Sequence, residues 1–157
     1  MRENHTEKAL RKNSKRRGIA AVECALVIPL LVMIAMGTID VSQYVNVAQL
    51  VNDASYEGAR RASQNNVLNQ SEVEQAVLNY FSGQFPNMAS GEIGSALTVN
   101  IRDSIDASIP NGNLETIPSG SAVSVQVIFQ FNSVRWLSGF AGLNGVSIET
   151  TTVMRRE

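Results

Sequence analysis

Between Ile19 and Ile39 the chain carries one charged side chain, Glu23. An ionisable group inside a long apolar stretch is expensive wherever that stretch leaves water, and such groups mark functional positions by default. Glu23 acquires a nearby counter-charge if the chain is cut between Gly18 and Ile19. That cut exposes an α-amino group on Ile19, largely cationic at neutral pH because its ordinary pKa is about 7.7–8.0. Ile19 and Glu23 are i and i+4 and share one helix face. Glu23 can then neutralise the amine of its own chain or that of an adjacent chain, and the second option holds neighbouring helices in register. Gly18 suits such a cut, since a residue without a side chain lets the backbone approach a catalytic centre. The plainer alternative is a tolerated, partly hydrated Glu close to an interface, because it is the fifth residue of its segment.

Other chemistry is sparse. The single Cys, Cys24, excludes an intramolecular disulfide framework, and its apolar surroundings keep a thiol inert. The single His, His5, sits in the polar leader, which excludes a His-based triad or a His-cluster metal site in the body. Asp103 and Asp106 with Asn100 are the nearest approach to a cation site, but they lack the spacing of a calcium loop. Nothing nominates a nucleophile, a base and a stabiliser for one pocket. The expectation is a protein that is not an enzyme, with no cofactor, no metal and no small-molecule substrate.

The elements that position Glu23 follow from charge and hydropathy. Charged residues are 17% of the chain, below the roughly 25% of ordinary soluble domains. The formal net charge of -1 hides a split. Residues 1–17 hold seven Lys/Arg against two Asp/Glu, net +5, and residues 18–157 hold six against twelve, net -6. The acidic, lysine-free body offers no nucleic-acid footprint. Ile19–Ile39 has 21 residues, enough to cross a bilayer, which needs about 20. Lys15, Arg16 and Arg17 precede it and set the topology: a cytoplasmic N-terminus with everything after Asp40 outside. Three readings of the segment compete. A secretory signal would be cut before Thr38, where Ala35 and Gly37 have the required -3 and -1 spacing. A single-pass anchor would stay intact. A third type of leader would be removed on the cytoplasmic side, after Gly18.

Basic residues, then Gly, then an apolar run with Glu fifth resemble the type IV prepilin signature. Here the pattern is Lys15-Arg16-Arg17-Gly18 followed by Ile19-Ala20-Ala21-Val22-Glu23. The wider stretch RRGIAAVECALVIPLL is similar to the TadE-like family of the tight-adherence (Flp) pilus system. Two further stretches match that family's pattern, Ala54–Arg60 and Ser147–Glu157. One residue departs from it: Cys24 stands where the family often has an aromatic. The resemblance implies a minor pilin or pseudopilin of the bacterial inner membrane, with Gly18 and Ile19 as the processing site and Glu23 as the processing and register residue. It implies a prepilin peptidase, other pilins or pseudopilins, an assembly platform and a secretion ATPase as partners, in a setting of adhesion and biofilm. An alternative of another class remains: an uncleaved single-pass module that binds a ligand or partner outside the membrane.

Beyond Asp40 a helical stripe continues through Val41, Tyr44, Ala48, Val51, Ser55, Gly58 and Ala62, in steps of three and four. It predicts one helix over Ile19–Ala62, about 66 Å long, whose small residues approach another surface closely. That surface is the protein's own domain or a second subunit. Gln64-Asn65-Asn66 predicts a break, and Ser71–Glu74 a capping box that opens a short amphipathic helix through Phe81. Gly83 and Pro86 are expected to end it. The period then changes to two at Leu97–Arg102, again at Val123–Phe131, and in a last strand from Val146 to Val153. Pro110–Asn113 and Pro118–Gly120 punctuate the loop between the first two strands. Trp136–Leu143 is unusually apolar for a connection, so it reads as a plug for the sheet's end or as a contact surface.

The expected organisation is a basic leader over 1–18, a transmembrane segment over 19–39, an amphipathic extension over 40–65 and an extracytoplasmic domain over 66–157. The fold class is α+β: a long helix packed on a small antiparallel sheet, which is also what a pilin-like fold implies.

Overall fold

The computed structural model describes residues 4–85, 89–103, 109, 112–134 and 145–157, with side chains from residue 21 onward except that of Ser90. The first helix, α1, runs Asn4–Ala62. Its 59 residues extend about 88 Å. The expected start at Ile19 is thereby corrected: leader and apolar segment share one backbone helix. Residues 4–17 contain neither Gly nor Pro, and their three Lys, three Arg, one Leu, one Glu and one Ala are all good helix formers. Pro29 lies inside α1 without ending it.

The helix stops at Ala62, ahead of the expected break, and α2 follows over Gln70–Gln84, running one residue past the expected stop at Gly83. The capping box expected at Ser71 does not form. Asn69 is the N-cap, extended at φ -125° and ψ 143°, with no side-chain cap bond. A tertiary contact holds it instead, an antiparallel bridge between Asn69 and Asn113. Beside that bridge the Leu114 N–H donates to the Leu68 carbonyl at 2.8 Å. A third helix, α3 (Ser90–Ala96), has no counterpart in the sequence expectation.

The strands are β1 (Leu97–Arg102), β2 (Ala122–Gln130) and β3 (Ser147–Arg155). They form an antiparallel sheet in the order β1-β2-β3, with Val99 opposite Val127 and Val125 opposite Thr152. Phe131, expected as the end of the second strand, lies in a 3-10 turn over Phe131–Val134. Gly120, in the predicted turn before β2, has φ +85°, a conformation few other residues adopt.

One face of the sheet is apolar. Val123, Val125, Val127 and Phe129 alternate as buried residues along β2 and meet Val73, Val77 and Phe81 of α2 together with α1. Phe81 stacks on Phe129 with ring centroids 5.1 Å apart. The other face carries a polar ladder. The Asn100 amide donates to Gln126 Oε1 at 3.0 Å, and the Gln126 amide donates to Glu149. Helices on one side and polar residues on the other make a two-layer α+β fold, with one helix long and apolar enough to cross a membrane. Trp136–Leu143, Asp106, Pro86, Pro110 and Asn111 lie outside the described residues.

Candidate functional site

The described side chains in the N-terminal half of α1 lie outside the domain's core. Every residue from Ala21 to Ala35 is exposed, including Leu26, Met33 and Ile34. Glu23 and Cys24 are exposed with them. An apolar cylinder of this kind is stable in hydrocarbon and costly in water. The 21 residues from Ile19 to Ile39 rise about 31 Å, close to the hydrocarbon thickness of a bilayer. Thr38 satisfies its hydroxyl inside the helix, donating to the Ile34 carbonyl at 2.8 Å. Gly18 and Ile19 lie within the α1 backbone. The side chains of Lys15, Arg16, Arg17 and Ile19 fall outside the described ones.

The C-terminal half of α1 is seated on the domain from Asp40 onward. Asp40 itself is fully buried, so the residue that ends the apolar run also begins the packed part. Tyr44 meets Phe131 edge-on at 5.4 Å. Of the predicted stripe, Val51, Ser55, Gly58 and Ala62 are buried, Tyr44 and Ala48 are half-buried, and Val41 is exposed. Val47, Ala54 and Ala59 complete the contact. The stripe's central residues therefore face the protein's own core.

Gly58 marks the closest approach. A Cβ placed there would lie 2.8 Å from Val77 Cγ2, 3.2 Å from Val125 Cγ1 and 3.7 Å from Val73 Cγ1. One turn earlier, the Ser55 hydroxyl donates to the Val125 carbonyl at 3.0 Å and shares a second hydrogen bond with Thr152 Oγ1 at 2.9 Å. Small residues were legible as a close-packing stripe; Ser55 adds a polar tie into the sheet.

Sequence reasoning missed the role of Arg156. It is buried, and its guanidinium donates to the Val67 carbonyl at 3.1 Å and the Ala62 carbonyl at 3.5 Å. The Glu157 N–H donates to the Ser63 carbonyl at 2.9 Å. A helix leaves its last carbonyls without helical partners and negatively polarised, so a cation there satisfies both needs. The chain after β3 thus seals the end of α1. The available signal was a basic residue directly after a strand, but its partners lie 89 and 94 positions away.

On the outer surface Arg60 pairs with Glu57 at 2.9 Å. The hydrogen bonds Arg60 donates to Glu57, and then the Glu57 charge, raise the Arg60 pKa, which only reinforces a cation that is present at any ordinary pH. Among the described residues no group of three His, Cys, Asp or Glu side chains is placed to hold a metal ion.

The family model described as TadE-like protein matches residues 18–60. The matched stretch opens at Gly18, takes in Glu23 and the whole apolar segment, and ends two residues short of the end of α1. It takes in Gly18 to Leu31 of the first stretch on which the family resemblance rests and all of Ala54–Arg60; Lys15, Arg16, Arg17 and Ser147–Glu157 lie outside it. No curated protein and no solved structure matches the chain.

Proposed function

We propose that the protein is a minor pilin or pseudopilin-like subunit that takes part in assembling or priming a pilus of the tight-adherence (Flp) type. In this reading it is anchored in the bacterial inner membrane by residues 19–39. Its N-terminus is cytoplasmic and its domain lies outside. A prepilin peptidase removes residues 1–18, and Glu23 neutralises the new Ile19 amine in its own chain or a neighbour's. The role is structural rather than catalytic. The partners are that peptidase, other pilins or pseudopilins and the inner-membrane assembly platform.

The observation that carries this reading is the TadE-like match, which begins at the proposed cleavage residue and spans the exposed apolar half of α1. The backbone supplies one requirement of the cut. The Gly18–Ile19 bond lies inside a helix, where its N–H and C=O belong to the helical ladder. A hydrolase must first open that turn. Gly weakens a helix by about 1 kcal/mol relative to Ala, which lowers the cost of opening.

The test is intact mass and N-terminal sequencing of protein extracted from its own host's membranes. The proposal predicts Ile19 as the first residue, and accumulation of the full-length chain in Gly18→Val. A second reading is favoured by the unbroken helix from Asn4, which joins leader and span. It is an uncleaved, membrane-tethered module that binds a partner outside. A start at residue 1 in the host supports that reading and overturns processing; a start at Thr38 overturns both.

A further inference from the structure

A groove of about 550 Å³ runs between α1 and α2 on the flank of the packed half. We propose that it binds a neutral glycan. Its polar lining is Gln43, Asn46, Gln49 and Asp53 from α1 with Tyr80 and Gln84 from α2; Val47, Leu50 and Phe85 supply the apolar part. The volume falls within the range of about 300–1,000 Å³ found for small-molecule sites.

The lining selects the chemistry. No Lys or Arg is among these residues, so a phosphate or carboxylate ligand would find no counter-charge. Four carboxamides each offer a donor and an acceptor, as sugar hydroxyls do. The rings of Tyr80 and Phe85 offer apolar faces of the kind that pack against the C–H side of a pyranose. Gln43, Asn46, Val47, Leu50 and Asp53 follow at i, i+3, i+4, i+7 and i+10, so α1 presents them as one row.

Gln43 is the second, independent observation. Its Oε1 is buried and has no hydrogen-bond partner among the described residues. Buried polar atoms are almost always bonded. Gln43 as a whole is only half-buried, so rotation of its carboxamide toward the groove would hand this acceptor to a ligand hydroxyl.

The position is consistent with a glycan rather than a lipid. Gln43 lies four residues beyond Ile39 and Asp53 fourteen, so the groove spans about 6–21 Å past the apolar segment. Its greater part stands clear of hydrocarbon, and its lower end lacks the cation that a lipid phosphate requires. This inference does not rest on leader cleavage or on pilus assembly.

The test uses the full chain in detergent micelles. The probes are tetramers of N-acetylglucosamine, cellobiose-type glucose and maltose-type glucose, titrated by calorimetry and by saturation-transfer NMR. Saturable binding of at least one is expected, weakened about tenfold or more by Gln43→Leu and by Asn46→Ala. The melting temperature of Gln43→Leu should not fall, because that change removes an unpartnered buried acceptor. Three outcomes overturn the proposal: no saturable binding of any tetramer, binding unchanged in both variants, or saturation of the groove by phosphatidylethanolamine added to the micelles in place of the sugars.

Discussion

The two halves of α1 are one helix in two environments. Over residues 21–35 every side chain is exposed, whereas from Asp40 to Ala62 one side of the helix disappears into the domain. The first half is apolar all round, and such a helix requires an apolar surrounding. The second half carries a stripe of small residues with Gln43, Asn46, Gln49, Asn52 and Asp53 outside it. The difference lies in sequence pattern and not in backbone, since α1 is continuous across the boundary. A helix of this kind ties the orientation of the domain to that of the span.

Two glycines on α1 give the comparison its clearest form. Beneath the domain, the largest expected loss is Phe129→Ala, which removes a buried ring stacked on Phe81 and should cost about 3–5 kcal/mol in chemical denaturation. Next comes Gly58→Val. Its first carbon alone meets stiff, buried valines, and overpacking of this type costs about 1–3 kcal/mol. Arg156→Ala strips two carbonyls of a charged donor, with an expected loss of about 1.5–3 kcal/mol read as a lower melting temperature. Gly37→Ala is the counterpart in the other half. Nothing lies within 4 Å of a Cβ there, so domain stability should stay within about 0.5 kcal/mol of the parent protein. Arg60→Ala breaks an exposed, solvent-screened pair and should leave the melting temperature essentially unchanged. If Gly37→Ala and Gly58→Val were equally harmful, the contrast between the halves would fail.

Much of this organisation can be read from local pattern. The apolar run, the strict alternation along β2 and the three-four stepping after Asp40 are all short-range signals, and each corresponds to an element in the structure. Long-range features are where reading stopped. The start of α2 depends on a bridge from Asn69 to Asn113, so the local Ser71 pattern lost to a tertiary contact. The helix α3 spans seven residues, two of them Gly, and has little intrinsic stability; its buried Ile93 anchors it. Val41 fits the stripe by spacing but lies exposed, because Asp40 and Tyr44 take the side turned toward the domain. Asp40 reads naturally as the polar end of a span, and its burial is visible only once the domain is in place. The TadE-like match covers both Gly18 and Glu23, and the roles proposed for them come from spacing along one helix.

The most direct test of the two-environment account is cysteine accessibility in intact host membranes. Cys24 is first replaced by Ser. Single cysteines are then placed at Leu26, Met33, Asn52 and Tyr56, all exposed in the folded chain. A membrane-impermeant maleimide should label positions 52 and 56 from outside and leave 26 and 33 unmodified until detergent is added. Equal labelling of all four without detergent would contradict the account, because the apolar half would then be in water.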